Sequence, residues 1–253
     1  MTSTARSWSP TPADAPPGEH AGPAGERRPG RGPDGGAQPL RDWLRDLPLL
    51  AAGAPAFEPA EAPEDPLELL VAWLREAAAA GVPEPHALTL ATVDAAGRPD
   101  ARVLVLKDVA ESALWIASEA GSPKGRQLAS VPVAALVFYW PQQGRQVRVR
   151  GRVRQADEQR AARDFLERPA HGRAESLLER QSRPLDEAHL SDEFADVDDL
   201  VELEPSVVAS TWRLWGVDAS RVEFWQSAPD GRHLRLRYSR AEHGGYDRQL
   251  LRP

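Results

Sequence analysis

Between Arg145 and Gln155 the chain reads RQVRVRGRVRQ, and from Gln146 to Arg154 apolar or glycine positions alternate with polar ones without a break. Val147, Val149, Gly151 and Val153 fall on one face of an extended segment; Gln146, Arg148, Arg150, Arg152 and Arg154 fall on the other. A helix would scatter the same residues around its circumference, so this stretch specifies a half-buried strand. The period of two recurs in ALTLATVD, ARVLVLK, ALWIAS and VAALVFYW, and again near the C-terminus in TWRLWGVDA, RVEFWQSA, RHLRLRYSR and YDRQLLRP. AAGRP and PQQG are turn-forming stretches between such runs, which makes hairpins of their neighbours. Many short strands with few helices between them predict a mainly β, α+β fold built on an antiparallel barrel with helical decoration. Taken alone, RQVRVRGRVRQ reads as a half-exposed edge strand whose arginines resist further pairing.

The helices carry start signals. In DPLELLVAWLREAAAAG, Asp65 suits the N-cap, Pro66 the first helical position, and Glu68 sits three past the cap. Leu67, Leu70, Val71 and Leu74 form its apolar stripe, and Gly81 with Pro83 ends it. GSPKGRQLAS opens with Ser122 as N-cap and Pro123 behind it. DEQRAARDFLER and RAESLLERQ are helical, and the acidic LDEAHLSDEFADVDDLVELEP is helix or loop. Residues 1–38 are rich in Pro, Gly, Ala and Arg with almost no large apolar residue, so they cannot bury enough surface to offset their ordering entropy and are expected to be disordered. Residues 39–64 read as a linker holding the short amphipathic LRDWLRDLPLL, and the folded domain as 65–253.

The 253 residues carry 31 Lys and Arg against 38 Asp and Glu, a net charge of -7, which argues against bulk attraction to nucleic acid. The absence of cysteine excludes disulfides, thiolate metal sites and cysteine nucleophiles. No His/Asp/Glu cluster has metal-ligand spacing, and neither G-x-S-x-G nor G-x-G-x-x-G occurs. The N-terminus has no apolar signal region and no run is long enough to span a bilayer, so a cytoplasmic protein without membrane contact is expected.

Three stretches remain as candidates for chemistry. ARVLVLKDV has a core strand's composition, yet Arg102 and Lys107 bracket its apolar run. GSPKG places Ser122 and Lys124 at a helix N-terminus, where backbone N–H groups and the dipole favour an anion; an ordinary capped helix would look the same. FWQ and RHLRLRY bring Trp225, Arg232, His233 and Arg235 onto late strands, with His233 and Arg235 on one strand face. Several cation-rich strands around a phosphate-binding helix start favour a phosphorylated cofactor or substrate.

In their order and spacing, TLATVDAAGRPDARVLVLK, SEAGSPKGRQL, RQVRVRG, FLERP, RQS and VEFWQ resemble the pyridoxamine/pyridoxine 5′-phosphate oxidase family, the FMN-binding split barrels, over residues 65–253. The resemblance implies a homodimer with C-terminal dimerisation strands and FMN at the subunit interface. It implies that Arg102 and Lys124 hold the FMN phosphate beside Ser122, and that Val103, Leu104, Val105 and Leu106, with Lys107, line the isoalloxazine. Ser118, Gln146, Gln181, Ser182, Trp225 and Arg235 match further FMN contacts. Lys107, Arg168, Arg232 and His233 match substrate contacts, the first two through a phosphate. No side chain is implied as a general base, since the family's chemistry is hydride transfer from substrate to FMN with O2 as final acceptor, giving pyridoxal 5′-phosphate.

The chain departs from the family at four places. Asp164 and Gly172 replace a tyrosine and a serine that help bind substrate phosphate, and Asp164 is expected to repel it. Pro123 replaces a cofactor-gripping arginine, and the final R-x-H reads GRH, which displaces Arg232. The alternatives are FMN-dependent oxidation of a secondary metabolite such as a dihydrophenazine, or a flavin-binding barrel without turnover. Arg102 and Lys107 are five positions apart, so they meet one ligand only if the strand bulges or stops before Lys107.

Overall fold

The computed structural model describes residues 39–47, 55–184, 190–228, 232–242 and 244–252. The Pro/Gly-rich tail, 1–38, lies outside them. The chain divides into two units, 1–48 and 49–253. The first contributes one described helix, α1 (Leu40–Asp46), which has no buried residue. The second contains α2 (Pro66–Ala79), β1 (Ala87–Val93), β2 (Pro99–Val105), β3 (Asp108–Ala110), β4 (Ala113–Glu119), α3 (Pro123–Ser130), β5 (Val133–Trp140) and β6 (Arg145–Gln155). After these come α4 (Glu158–Leu166), α5 (Ala170–Leu177), α6 (Leu190–Leu203), β7 (Trp212–Asp218), β8 (Arg221–Gln226), β9 (Leu234–Arg240) and β10 (Tyr246–Leu250).

All described strand pairs are antiparallel. The main path runs β10-β9-β8-β6-β5-β1-β2, while β4 pairs with β3 and β7, and β7 returns to β6. The sheet thus curls into a split barrel, and the hinge of the curl is β6. One edge of β6 pairs with β5 along most of its length. Its other edge pairs with β8 from Arg145 to Arg150 and with β7 from Val153 to Gln155. The edge-strand expectation is therefore wrong. Val147, Val149 and Val153 do face the core while Arg148, Arg150 and Arg152 are exposed, but a pattern of faces says nothing about which edges are paired. Between the two partners lies Gly151, where a Cβ would fall 1.5 Å from the Asp218 carbonyl oxygen. Only glycine permits that approach.

The main core gathers Leu88, Leu90, Leu136, Phe138, Val222 and Phe224 with the inner face of α2. Asp65 caps α2 by accepting the Leu67 N–H at 2.8 Å. Its buried stripe is Leu67, Leu70, Trp73 and Ala77 with Leu69, whereas Val71 and Leu74 sit half-buried at its margin. Trp73 meets Phe224 edge-on at 5.1 Å and Phe57 at the same distance. Phe57 and the buried Ala62 tie the end of the expected linker to the domain, and Tyr238 Oη donates to the Pro63 carbonyl at 2.8 Å. The domain's packing thus begins before Asp65. A second cluster, with Trp115, Phe165, Trp212 and Leu214, fastens α4 onto β4 and β7.

Two further boundaries differ from expectation. The three-residue β3 was not foreseen, being too short to show a period, and the second of the paired helices starts at Ala170, ahead of the expected Arg173, and ends at Leu177. The acidic stretch forms α6 over its described part. Among the described residues no helix is long and apolar enough to cross a membrane, and no group of acidic or histidine side chains could hold a metal ion.

Candidate functional site

β2 ends at Val105 and Lys107 N already donates to the Trp115 carbonyl of β4, so Lys107 is free of the strand's alternation. The early stop removes the geometric obstacle to Arg102 and Lys107 serving one ligand. In the sheet β2 pairs with β1 alone, so its other edge presents backbone N–H and C=O groups without strand partners. Beside that edge lies a cavity of about 550 Å3, walled by Leu104, Val105 and Lys107, by Ser118 and Glu119 of β4, and by Lys124 of α3. Its lining also includes Arg168, Ser176 of α5, Gln181, Phe194 of α6 and Trp212 of β7.

Lys124 brings a cation to this cavity and Arg102 stands next to it, outside the lining, as do Val103 and Leu106. Lys124 is buried, and its ammonium donates to Gln181 Oε1. Burial, and then the neighbouring Arg102 guanidinium, push its pKa down from 10.5, against the pull of Glu119. Arg102 is braced by Thr92 Oγ1 at 2.6 Å, Asp100 Oδ2 at 2.5 Å and Gln127 Oε1 at 3.2 Å. Gly125 lets α3 lie against the end of β4, since a Cβ there would meet the Glu119 carbonyl oxygen at 2.3 Å. A buried ammonium and a fixed guanidinium at a helix start form the donor set for a phosphate monoester. This donor set fits the phosphate of FMN, which Lys124 and Arg102 would hold.

Ser122 is placed differently. Its hydroxyl donates to the Glu119 carbonyl at 2.8 Å and accepts the Gly125 N–H at 3.1 Å, and the residue is fully buried beneath the cavity. It is the cap that shapes the helix start, and its oxygen does not reach the cavity wall. Ser118 does line the cavity and accepts from Trp215 Nε1 at 3.1 Å. Ser182, beside Gln181, lies outside the cavity lining, with a positive φ of 64°.

The other expected residues form a second group. Gln146, Trp225 and Arg235 stand opposite one another in register across β6, β8 and β9, with Tyr139 of β5 extending the row. They occupy the outer face of the sheet. His233 lies one residue before β9, its ring 5.1 Å from that of Trp225 and its Nδ1 accepting the Ala228 N–H, and Arg232 is exposed beside it. None of these lines the cavity of the same chain.

Arg168, also on the cavity wall, stacks over the Trp212 ring at 4.3 Å and donates to Ser176 Oγ at 2.7 Å. Lys107 lies 3.9 Å from Asp164 Oδ1, and Asp164 Oδ2 accepts from Trp212 Nε1 at 2.9 Å. Asp164, expected to repel an anion, is thus engaged with two neighbours of the cavity. Ser176, Trp212 and Glu119 were not anticipated. A serine and a tryptophan far apart in sequence give no signal, and Glu119 reads as an ordinary strand-ending acid.

Burial raises the Glu119 carboxyl above its ordinary value of 4.5, opposed by the Gln181 N–H and by Lys124 and reinforced by Glu179 and Glu175. The folded protein therefore holds this proton at pH values where the unfolded chain has lost it, and stability falls as pH rises from 4.5 through the folded-state value. Glu119→Gln should flatten that part of the profile, which thermal melts across the acid range will show. An unchanged slope would mean that Glu119 is not the titrating group.

Residues 74–201 match the pyridoxamine 5′-phosphate oxidase family, and residues 212–253 match the pyridoxine 5′-phosphate oxidase C-terminal dimerisation region. A pyridoxine/pyridoxamine 5′-phosphate oxidase of Ectopseudomonas mendocina is 37% identical over 216 residues, covering 84% of this chain and 96% of the relative. One of Burkholderia multivorans is 36% identical over 212 residues, covering 79% and 95%. Among solved structures, PhzG of Burkholderia lata, in complex with tetrahydrophenazine-1-carboxylic acid, aligns with a TM-score of 0.74 at 25% identity, covering 80% of this chain and all of that one. A pyridoxamine 5′-phosphate oxidase-related, FMN-binding protein of Nostoc punctiforme shares the fold at a TM-score of 0.63 and 19% identity, covering 75% of this chain and 98% of that one.

Proposed function

We propose a function from one premise: the chain belongs to the pyridoxamine 5′-phosphate oxidase family. On that premise it is an FMN-dependent oxidase of a small ring substrate, with O2 as the final electron acceptor and pyridoxal 5′-phosphate as the product of the family's own reaction. The observation that carries the reading is the convergence of buried Lys124 and braced Arg102 beside the unpartnered edge of β2. When bound, FMN supplies the hydride acceptor. The chain's part is to anchor the cofactor phosphate through Lys124 and Arg102, to orient the ring with the β2 backbone, and to hold the substrate between Lys107 and Arg168. Trp212 and Phe194 line the cavity and would limit water at the reacting carbon.

The working unit of this proposal is a homodimer. Val103, Val133 and Tyr139 leave an apolar outer face on β2 and β5, with exposures of 67%, 45% and 54%, which a second copy would cover. Gln146, Trp225, Arg235 and His233 share or border that face and would be delivered to the partner's cavity. This accounts for their distance from their own.

A second reading, oxidation of an unphosphorylated ring compound, is favoured by the Lys107–Asp164 pair. The test is oxygen consumption by the FMN-loaded protein with pyridoxamine 5′-phosphate, pyridoxine 5′-phosphate and their dephosphorylated forms. Turnover of a phosphorylated vitamer is expected under the first reading, and turnover of the dephosphorylated forms alone favours the second. Binding of riboflavin as tightly as FMN would remove the basis of the cofactor assignment.

A further inference from the structure

We propose that Glu119 adjusts the charge of this site to its cofactor: its carboxyl takes up a proton from solvent as the phosphate of a flavin mononucleotide enters, and returns it when the phosphate leaves. The inference rests on the flavin reading of the same cavity. It begins in the stretch SEAGSPKG, where β4 ends and α3 starts. The Ser122 cap and the close approach of Gly125 to the Glu119 carbonyl fold that stretch tightly. An acid and a lysine five positions apart therefore line one cavity, both buried at 7% exposure. A single residue spans them. The Gln181 N–H donates to Glu119 Oε2 at 3.3 Å, and Gln181 Oε1 accepts from the Lys124 ammonium.

An anion that comes to Lys124 thus comes to a wall that already holds a carboxyl group. Burial disfavours the charged form of that group from the start, and Glu179 and Glu175 of α5 and the turn after it act in the same direction. Lys124 of α3 is the cation that favours ionisation, together with the Gln181 N–H. Arg168 feels the Glu119 charge as well. On β7 the residue opposite Glu119 is the uncharged Trp212, and Arg213 beyond it donates to the Ser210 and Trp212 carbonyls. A phosphate dianion would share Lys124 and hold Arg102 besides, so its own charge is kept and the carboxyl is the group that protonates. Neutral Glu119 can still accept the Gln181 N–H through its carbonyl oxygen, which preserves the link to Lys124. Lys124 also titrates under burial and the pressure of Arg102, but in the opposite sense: its proton uptake would grow as pH rises, whereas that of Glu119 falls.

The experiment is calorimetric titration of FMN and of riboflavin into the full chain freed of flavin, in buffers of different ionisation enthalpy. It runs from about pH 6.5 to 8.5, above the second pKa of a phosphate monoester. The dependence of the heat on the buffer counts the protons exchanged. FMN should bring net uptake of at most about one proton, largest at the acid end, with affinity falling by up to about tenfold per pH unit where uptake is complete. Riboflavin, which lacks the phosphate, should bring none. Glu119→Gln keeps an acceptor for the Gln181 N–H and should bind FMN without uptake, at an affinity that no longer falls with pH. Uptake that grows with pH, that riboflavin matches, or that persists in Glu119→Gln overturns the inference. FMN that binds the wild type with no proton taken up refutes the proton linkage alone, and a chain that binds no FMN refutes the flavin reading with it.

Discussion

Gly151→Ala should destabilise the protein by about 3 kcal/mol or more, the upper range for forced overpacking. At Gly151, β6 exchanges one partner for another. Up to Arg150 it pairs with β8, from Val153 with β7, and the Asp218 carbonyl of β7 occupies the gap. A Cβ 1.5 Å from that oxygen cannot be relieved by a rotamer change, because both atoms belong to the backbone framework. Either β7 withdraws or β6 shifts. Either movement strains the hydrogen bonds by which Ser220 N and Oγ hold the Arg150 carbonyl, at 3.1 and 2.7 Å. Since β7 also carries Trp212, the damage extends to the cavity wall. Urea unfolding measures the loss. Gly121→Ala serves as the control, because a Cβ there meets nothing within 4 Å, and it should change stability by no more than about 0.5 kcal/mol. Equal effects at the two positions would refute the strand-exchange account.

Lys124→Ala and Arg102→Ala should each weaken FMN binding by roughly ten- to a hundredfold, the equivalent of about 1.5–3 kcal/mol for one charge-assisted hydrogen bond. Both cations are held before any ligand arrives, Arg102 by three side chains and Lys124 by Gln181, so little ordering cost offsets the contact they make. Riboflavin lacks the phosphate and should lose much less in either variant. Quenching of flavin fluorescence, titrated with both ligands, reads the difference. If riboflavin suffers as much as FMN, the two residues support the ring or the fold, and the phosphate assignment fails.

Apart from the three-residue β3, the sequence made the strands legible because each is long enough to show its period, and the caps legible because Asp65 and Ser122 have one local geometry to satisfy. It left β6 misplaced, since alternation fixes the face of Val147 and Arg148 but not the number of neighbours. Arg102, Lys107 and Lys124 could be singled out as candidates in advance because they flank recognisable elements. Their environment could not. Whether Asp164 meets an incoming anion or Lys107 depends on α4 being anchored by Phe165 beside Trp212, a contact between distant segments that no local pattern encodes. Ser122 shows the converse: its cap role was read correctly from spacing, and that role withholds its hydroxyl from the cavity.

The strand that bounds the cavity has a consequence for handling the protein. From Ala101 to Val105, β2 is a run of small and branched residues, Arg102 apart, flanked by Pro99 and Lys107. With β1 as its one strand partner, it has the makings of a template on which a foreign chain could add itself. The backbone groups that would receive a flavin under the proposed function are the same ones that would recruit such a chain. Under the proposed function, cofactor saturation would also protect against aggregation, and preparations short of flavin should be the ones that precipitate.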